Sequence, residues 1–410
     1  MPGADRTSHP ATPVVVTGLG AVTAFGWGVA PLWEGLRRGR AAIGPIGRFD
    51  ARAHRTRLAA EVPLESAPEG GRRRSWADRF AVAAAFEATR QAGLAPERCT
   101  DAGVYFGSST GGMLESEGYY ATLLDLGARR AKPGPLASQQ LNAPGDAVAR
   151  AVGACGPVET LSSACASGSM AIGAALRALR RGDAEVALAG GSDSFCQLTH
   201  AGFNSLRAVD ERPCRPFRKD RAGLTIGEGA GVLVLETLAH AAARGARPIA
   251  LLAGESATCD AHHMTAPHPE GRGAAEAMAL ALEDAGLDAV EIDFINAHGT
   301  GTPLNDAAEA EAMRRIFGDR LPTIPVTSTK ALIGHLLGSA GAVEAIATIL
   351  GLARREVHPM PAAGAADAAL GLSLVVGAPR RLARAGAALS TNLAFGGANA
   401  ALAFRSAEAA

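Results

Sequence analysis

A single cysteine, Cys165, stands where a run of strand formers gives way to a helix. The segment Val158 to Asp183 reads VETLSSACASGSMAIGAALRALRRGD, with Met170, Ile172, Leu176 and Leu179 at helical spacing beyond small turn residues. A thiol in that turn would face the unpaired amides and positive dipole end of the helix, which predicts a pKa below the ordinary value of about 8.5 and a thiolate able to attack a thioester. His298 follows the apolar run Ile292 to Ala297, Lys330 closes the run from Thr327, and His335 comes shortly after. Residues just past the carboxyl ends of strands line one crevice of an α/β sheet, so these groups are expected to converge. A cysteine holding an acyl group beside two neutral imidazoles, whose Nε2 hydrogens polarise a second carbonyl and stabilise an enolate, performs carbon–carbon bond chemistry. Hydrolysis would need a dedicated base for water, and the sequence offers none.

Positioning these groups takes repeated strand–turn–helix units. SSACASGSMAIGAALRAL and TSTKALIGHLLGSAGAVEAIATIL are both of that kind, and each half of the chain opens on a buried strand. Two similar βαβ halves are expected, residues 13–247 and 248–410, with the break in AAARGARP. The strand Val14–Thr17 runs into GLGAVTAFG, which resembles the start of a dinucleotide fingerprint. Thr23 stands where the third glycine belongs, however, so a tight strand-to-helix turn is expected instead. Ser75 and Asp78 predict a capping box for a helix from Trp76 to Gln91. The stretch from GSSTGGM to Asn142 reads as irregular. The Arg-, Asp- and Gly-rich segment from Phe203 to Gly231 reads as a long functional loop.

Lys+Arg and Asp+Glu both count 40, so net charge makes no case for nucleic acid, and a charged partner must meet a local patch. Six cysteines without CxxC spacing predict reduced thiols in a cytoplasmic protein. The group Cys259, Asp260, His262, His263 and His268 matches no zinc spacing, and no metal is expected. The first dozen residues lack an apolar core and no long apolar run occurs, which predicts a soluble chain without signal peptide or membrane span.

The segments SSACASG, INAHGTGTPLND, STKALIGHLLGSAGAVEA and AFGGAN resemble, in order and separation, the hallmark segments of elongating β-ketoacyl-acyl-carrier-protein synthases, over about Val14 to Phe404. The resemblance implies an α/β thiolase fold of two duplicated βαβ halves in a five-layer αβαβα arrangement. It implies a homodimer, or a heterodimer with a chain-length-factor-like sister subunit. Acyl carrier protein would be the partner, and no cofactor would be needed beyond the phosphopantetheine arm carrying the substrates. By this similarity Cys165 accepts the acyl chain, and His298 and His335 assist malonyl decarboxylation and condensation. Lys330 sets their electrostatics with Glu344 as its partner, and the amides of Cys165 and Phe395 form an oxyanion hole, Phe395 also gating the second substrate. Thr300, Thr302 and Thr265 would bind pantetheine and Phe203 the substrate. Thr110 would form the floor of the acyl pocket, and Arg72, Arg73, Arg74 and Arg207 would dock the carrier protein. The final loop departs from the family's NSFGFGG, with Leu393 and Ala394 in TNLAFGG. Thr110 where a larger aliphatic residue is usual suggests a roomier tunnel, suited to a polyketide or polyene chain, with fatty-acid elongation kept beside it. A non-condensing chain-length-factor subunit would lack the cysteine. A thiolase-type enzyme acting on coenzyme A would resemble a different triad, of Cys and His with Asn or a second Cys.

Overall fold

The computed structural model describes residues 12–68, 74–95 and 99–409. Its main sheet grows outward in both directions from one antiparallel pair, β1 (Val14–Thr23) with β10 (Ala250–Cys259), joined only at Val15↔Leu251 and Val16↔Ala250. On one side β1 pairs antiparallel with β9 (Gly229–Thr237) and β9 antiparallel with β7 (Val186–Asp193). Parallel β5 (Gly103–Gly107) and β6 (Val158–Leu161) follow. On the other side β10 pairs antiparallel with β17 (Ala398–Ser406) and β17 antiparallel with β16 (Ala387–Leu393). Parallel β11 (Ile292–Asn296), β12 (Pro325–Thr327) and β14 (Ser373–Leu374) follow. The order antiparallel, antiparallel, parallel, parallel therefore occurs twice, the second time with β14 added at the edge, which is the duplication expected from sequence. By this correspondence the turn after β6, carrying Cys165, is the counterpart of the turn after β12, carrying Lys330. Small strands lie outside this order: β2 (Gly26–Trp27) folds back on β1, β3 (Gly44–Pro45) and β4 (Leu58–Ala60) join β8 (Ile226–Gly227), and β13 (Glu356–Val357) pairs with β15 (Arg380–Arg381).

The helices are α1 (Val29–Arg38), α2 (Trp76–Ala92), α3 (Met113–Leu126), α4 (Ala143–Val152), α5 (Ser167–Arg181), α6 (Gln197–Ser205), α7 (Leu238–Ala243), α8 (Arg272–Ala285), α9 (Pro303–Phe317), α10 (Lys330–Ile333) and α11 (Ala340–Arg354). They sort by face. Helix α2 covers β1 and β9 with α4 beside it on β5 and β6, helix α8 covers β10 and β17 with α9 beside it, and α5 and α11 lie between the two halves touching strands of both. This is the five-layer αβαβα arrangement. Helix α11 is buried on every side from Ala340 to Leu352, as a helix between two sheets must be, and carries Glu344 and Thr348 within an otherwise apolar run. The window Leu337–Arg354 has the length and hydropathy of a membrane span, but 89% of it is buried inside the protein. All six cysteines are free thiols.

Three expectations are corrected. GLGAVT is neither fingerprint nor turn: β1 runs unbroken to Thr23. Its glycines let helix α2 lie against it, since a Cβ on Gly18 would fall 2.1 Å from the Ala88 carbonyl oxygen. The stretch expected to be irregular holds α3, whose sequence MLESEGYYATLLDL has no single apolar stripe. Only Ser116 of that helix is buried, and Tyr120, Leu124 and Leu126 are exposed. The first part of the expected long loop is α6, which carries Phe203.

Candidate active site

Cys165, His298 and His335 meet. Their Sγ and ring nitrogens lie within 4.8 Å of one another, and the two imidazoles stand edge to face at 5.3 Å between centroids. They end a cavity of about 350 Å³ whose walls include Phe203, Arg207, Thr265, Thr300, Thr302 and Phe395.

The cysteine turn is strained and then pinned. Ala164 sits in the left-handed region at φ 47°, an uncommon place for a residue with a side chain. The Ser167 hydroxyl accepts from the Ser163 amide at 2.9 Å and donates to the Ala164 carbonyl at 2.6 Å, and Ser109 donates to the same carbonyl at 3.0 Å. Helices α5 and α11 then cross at their starts. A Cβ on Gly341 would lie 2.2 Å from Ser169 Oγ and 2.7 Å from Asn392 Oδ1, so only glycine allows the approach. The thiolate bias expected from the helix start is reversed. Burial pushes the thiol up to about 11, against the pull of the Lys330 ammonium and of the Phe395 amide.

Both imidazoles are held neutral. Burial and then the Lys330 charge put His298 and His335 well below the ordinary histidine value. The tautomers follow from the neighbours. The Leu337 amide donates to His335 Nδ1 at 3.0 Å, and the Asn392 amide nitrogen donates to Glu344 Oε2 at 2.6 Å and faces His298 Nδ1 at 3.3 Å. Each ring proton is thereby left on Nε2, and His335 Nε2 is buried without a partner among the described residues. An unpartnered buried donor is an available one. Lys330 does not line the cavity. It forms a buried ion pair with Glu344, which Thr329 and Asn392 also approach. Burial raises the Glu344 carboxyl and Lys330 opposes it.

The His298 turn is clamped from α9. Glu309 accepts from the His298 amide at 2.7 Å, the Gly299 amide at 2.8 Å and the Thr391 hydroxyl at 2.8 Å, while burial pushes its carboxyl up to about 7. Asp306 accepts from the amides of Phe217, Thr300 and Gly301. Asp193, at the end of β7, ties the two turns behind the cysteine. It accepts from the amides of Ser109 and Thr110 and, at 2.6 Å, from that of Gly338. At the mouth Phe203 and Phe395 stack at 5.7 Å, and the Thr300 and Thr302 hydroxyls pair at 2.9 Å.

Arg207, exposed at the mouth with φ 54°, lies beside this group. Thr110 does not line the cavity in the single chain. Its hydroxyl donates to the Ser194 carbonyl at 3.3 Å, behind the turn that carries Cys165. Arg74 lines a different cavity with Arg79, Phe86 and Arg90, and Arg72 and Arg73 lie outside the described residues. Sequence reasoning missed Asn392, Glu309 and Asp193. Asn392 follows Ser390 and Thr391 in β16, so its polarity did not set it apart in the sequence.

Family models described as Beta-ketoacyl synthase, N-terminal domain and Beta-ketoacyl synthase, C-terminal domain match residues 11–241 and 249–363. A 3-oxoacyl-[acyl-carrier-protein] synthase 2 of Synechocystis sp. is 40% identical over 406 residues, 96% of this chain and 97% of that one. Among solved structures, the ishigamide ketosynthase/chain length factor matches with a TM-score of 0.91 at 33% identity, covering 97% of this chain and 99% of that one. A type II polyketide ketosynthase, solved with its acyl-carrier protein and bound to the hexaketide, matches at 0.86 and 28% identity, covering 97% and 100%.

Proposed function

This chain belongs to the β-ketoacyl synthase family, and we propose from that premise how its residues condense an acyl chain with malonyl-acyl-carrier protein. The observation that carries the proposal is the convergence of one thiol with two neutral imidazoles, their Nε2 protons turned to the same cavity. Cys165 attacks the acyl thioester, and the acyl group passes to Sγ while the thiol proton leaves on the pantetheine sulfur. The amides of Phe395 and Cys165, both of which already favour a negative sulfur, receive the carbonyl oxygen as it becomes an oxyanion. The malonyl thioester oxygen then lies between His298 and His335. As carbon dioxide departs, its bonding pair becomes an enolate held by the two Nε2–H groups. The enolate carbon attacks the acyl carbonyl, the carbon–sulfur bond to Cys165 breaks, and the thiolate takes a proton from water. Neutral rings suit this step because they donate hydrogen bonds without giving up a proton to the malonyl carboxylate. Burial keeps them neutral, and the Lys330 charge adds to it from behind.

Thr300, Thr302 and Thr265 take the pantetheine arm, with Arg207 facing the carrier protein at the mouth. A second subunit of the same fold covers the exposed edge strand β6 and the exposed apolar residues of α3. Support comes from Val158 at 42%, Leu124 at 83% and Leu126 at 66% exposure, and from the relative solved as a ketosynthase/chain length factor pair. Native mass spectrometry after co-expression decides between a sister subunit and a second copy. The six free thiols support work in the reducing cytoplasm. A non-condensing subunit is disfavoured by Cys165 itself.

The mechanism is tested by carbon dioxide release from malonyl-carrier protein after acylation. His298→Ala and His335→Ala should each lower it by at least about a hundredfold, the scale of losing a positioned donor to a developing oxyanion. Cys165 should still accept the acyl group. Release near the wild-type rate from either variant would refute the pairing.

A further inference from the structure

A separate cavity, of about 370 Å³, abuts the Lys330 turn. Pro216, Ala331 and Met360 contribute apolar wall, and the charges on it are the guanidiniums of Arg212, Arg215 and Arg218 against the one carboxylate of Asp220. Two of these guanidiniums are paired. Arg215 meets Asp210 at 2.7 Å and Asp220 at 3.4 Å, and Arg212 meets Asp220 at 3.2 Å. Arg218 is not. It is 4% exposed, and the only hydrogen bond of its guanidinium among the described residues runs from Nη2 to the Pro361 carbonyl at 3.1 Å. Burial lowers its pKa, with Asp220 opposing. A cation taken out of water without a bound carboxylate is costly to keep, and the usual resolution is an anion in contact with it.

We propose that this cavity binds a small organic anion, its anionic head on the Arg218 guanidinium and a short apolar body against Pro216, Ala331 and Met360. Charge and shape both point there, since among the described residues Arg218 is the guanidinium of this wall left without an ion pair while Arg212 and Arg215 are paired, and the rest of the wall is mainly apolar. The occupant would touch the backbone that carries Lys330. Ala331 is part of the wall, and Cys214, also part of it, donates its Sγ hydrogen to the Lys330 carbonyl at 3.0 Å.

The test is thermal unfolding of the full chain titrated with hexanoate, acetate or inorganic phosphate at constant ionic strength, for wild type, Arg218→Met and Arg218→Lys. Hexanoate should raise Tm saturably in wild type, and acetate and phosphate, lacking the apolar body, should act only at higher concentration. Arg218→Met should weaken the hexanoate response at least about tenfold, the scale of a lost charge-assisted hydrogen bond, and Arg218→Lys should keep part of it. Hexanoate entering the Cys165 cavity would persist in Arg218→Met, so the difference between the proteins isolates this site. Unchanged acyl loading of Cys165 shows that the variant is folded. An equal response in wild type and Arg218→Met, or no saturable shift, would overturn the site, and phosphate matching hexanoate would overturn the apolar half of the proposal.

Discussion

Cys165 shows how local geometry and environment can pull one group in opposite directions. Its place two residues before helix α5 argues for an acidic thiol, and the Lys330 ammonium and the Phe395 amide argue the same way, yet burial outweighs them and leaves the thiol near 11. At neutral pH well under one thiol in a thousand is ionised at that value. The resting cysteine is therefore quiet, and its proton leaves only when a thioester is bound. Alkylation by iodoacetamide, followed at Cys165 by peptide mass because Cys155 and Cys259 are also exposed to reagent, should be slow at pH 7.5. It should quicken about tenfold per pH unit through pH 9.5 without levelling. Lys330→Met should slow it further, since that ammonium is the largest influence favouring the thiolate. A rate that levels off by pH 8 would mean that the helix start wins after all.

The elements that aim these groups do so through carboxylates set one layer back. Glu309 on α9 accepts two adjacent amides and the Thr391 hydroxyl, and so fixes where the chain turns from β11 into His298. In Glu309→Gln one oxygen becomes a donor, and the Gly299 amide loses its acceptor. A buried amide left unpaired costs about 1 to 3 kcal/mol, and the imidazole loses its fixed position. Carbon dioxide release should fall at least about tenfold while acylation of Cys165 stays near wild type, a split that simple destabilisation would not produce. Equal losses in both half-reactions would assign Glu309 to the fold alone. This layer also marks where the sequence ceases to be readable. Cys165 and His298 were legible because each follows a strand and His335 because it comes shortly after Lys330 at the end of another, and the repeat of strand–turn–helix gave the two halves. Asn392, Glu309 and Asp193 were not, because their partners are backbone amides and side chains far along the chain, a relation with no period. Helix α3 escaped for a different reason: without a buried stripe its apolar residues carry no helical signal, and their exposure belongs to whatever covers that face.

Across the whole molecule, the buried layers hold titratable groups whose effects on stability oppose each other with pH. His298 and His335 lie well below the ordinary histidine value, and His358 is lowered to about 4, burial being the largest cause for each. As pH falls through about 6.5 the unfolded chain protonates these residues and the folded one does not, so their contribution, fully present above 6.5, is lost toward the folded pKa at up to about 1.4 kcal/mol per unit and group. Glu309, raised to about 7, works the other way, because between pH 7 and about 4.5 the folded state holds a proton that the unfolded state has released. The spans are similar, about 2.5 units each, so His358 and Glu309 nearly cancel and the pH profile of the wild-type protein hides both. A single replacement separates them. His358 is 2% exposed, with Nδ1 3.3 Å from the Thr327 hydroxyl and Nε2 unpartnered among the described residues, and it stands outside the cavity that Cys165 lines. In His358→Gln the urea-unfolding free energy relative to wild type should be flat above pH 7. Below about 6.5 it should shift in favour of the variant by about 1.4 kcal/mol per unit, reaching roughly 3 kcal/mol near pH 4. A difference that stays constant from pH 8 to pH 5 would mean that His358 takes up its proton as readily in the fold as out of it, and that burial in this layer costs an imidazolium far less than its surroundings require.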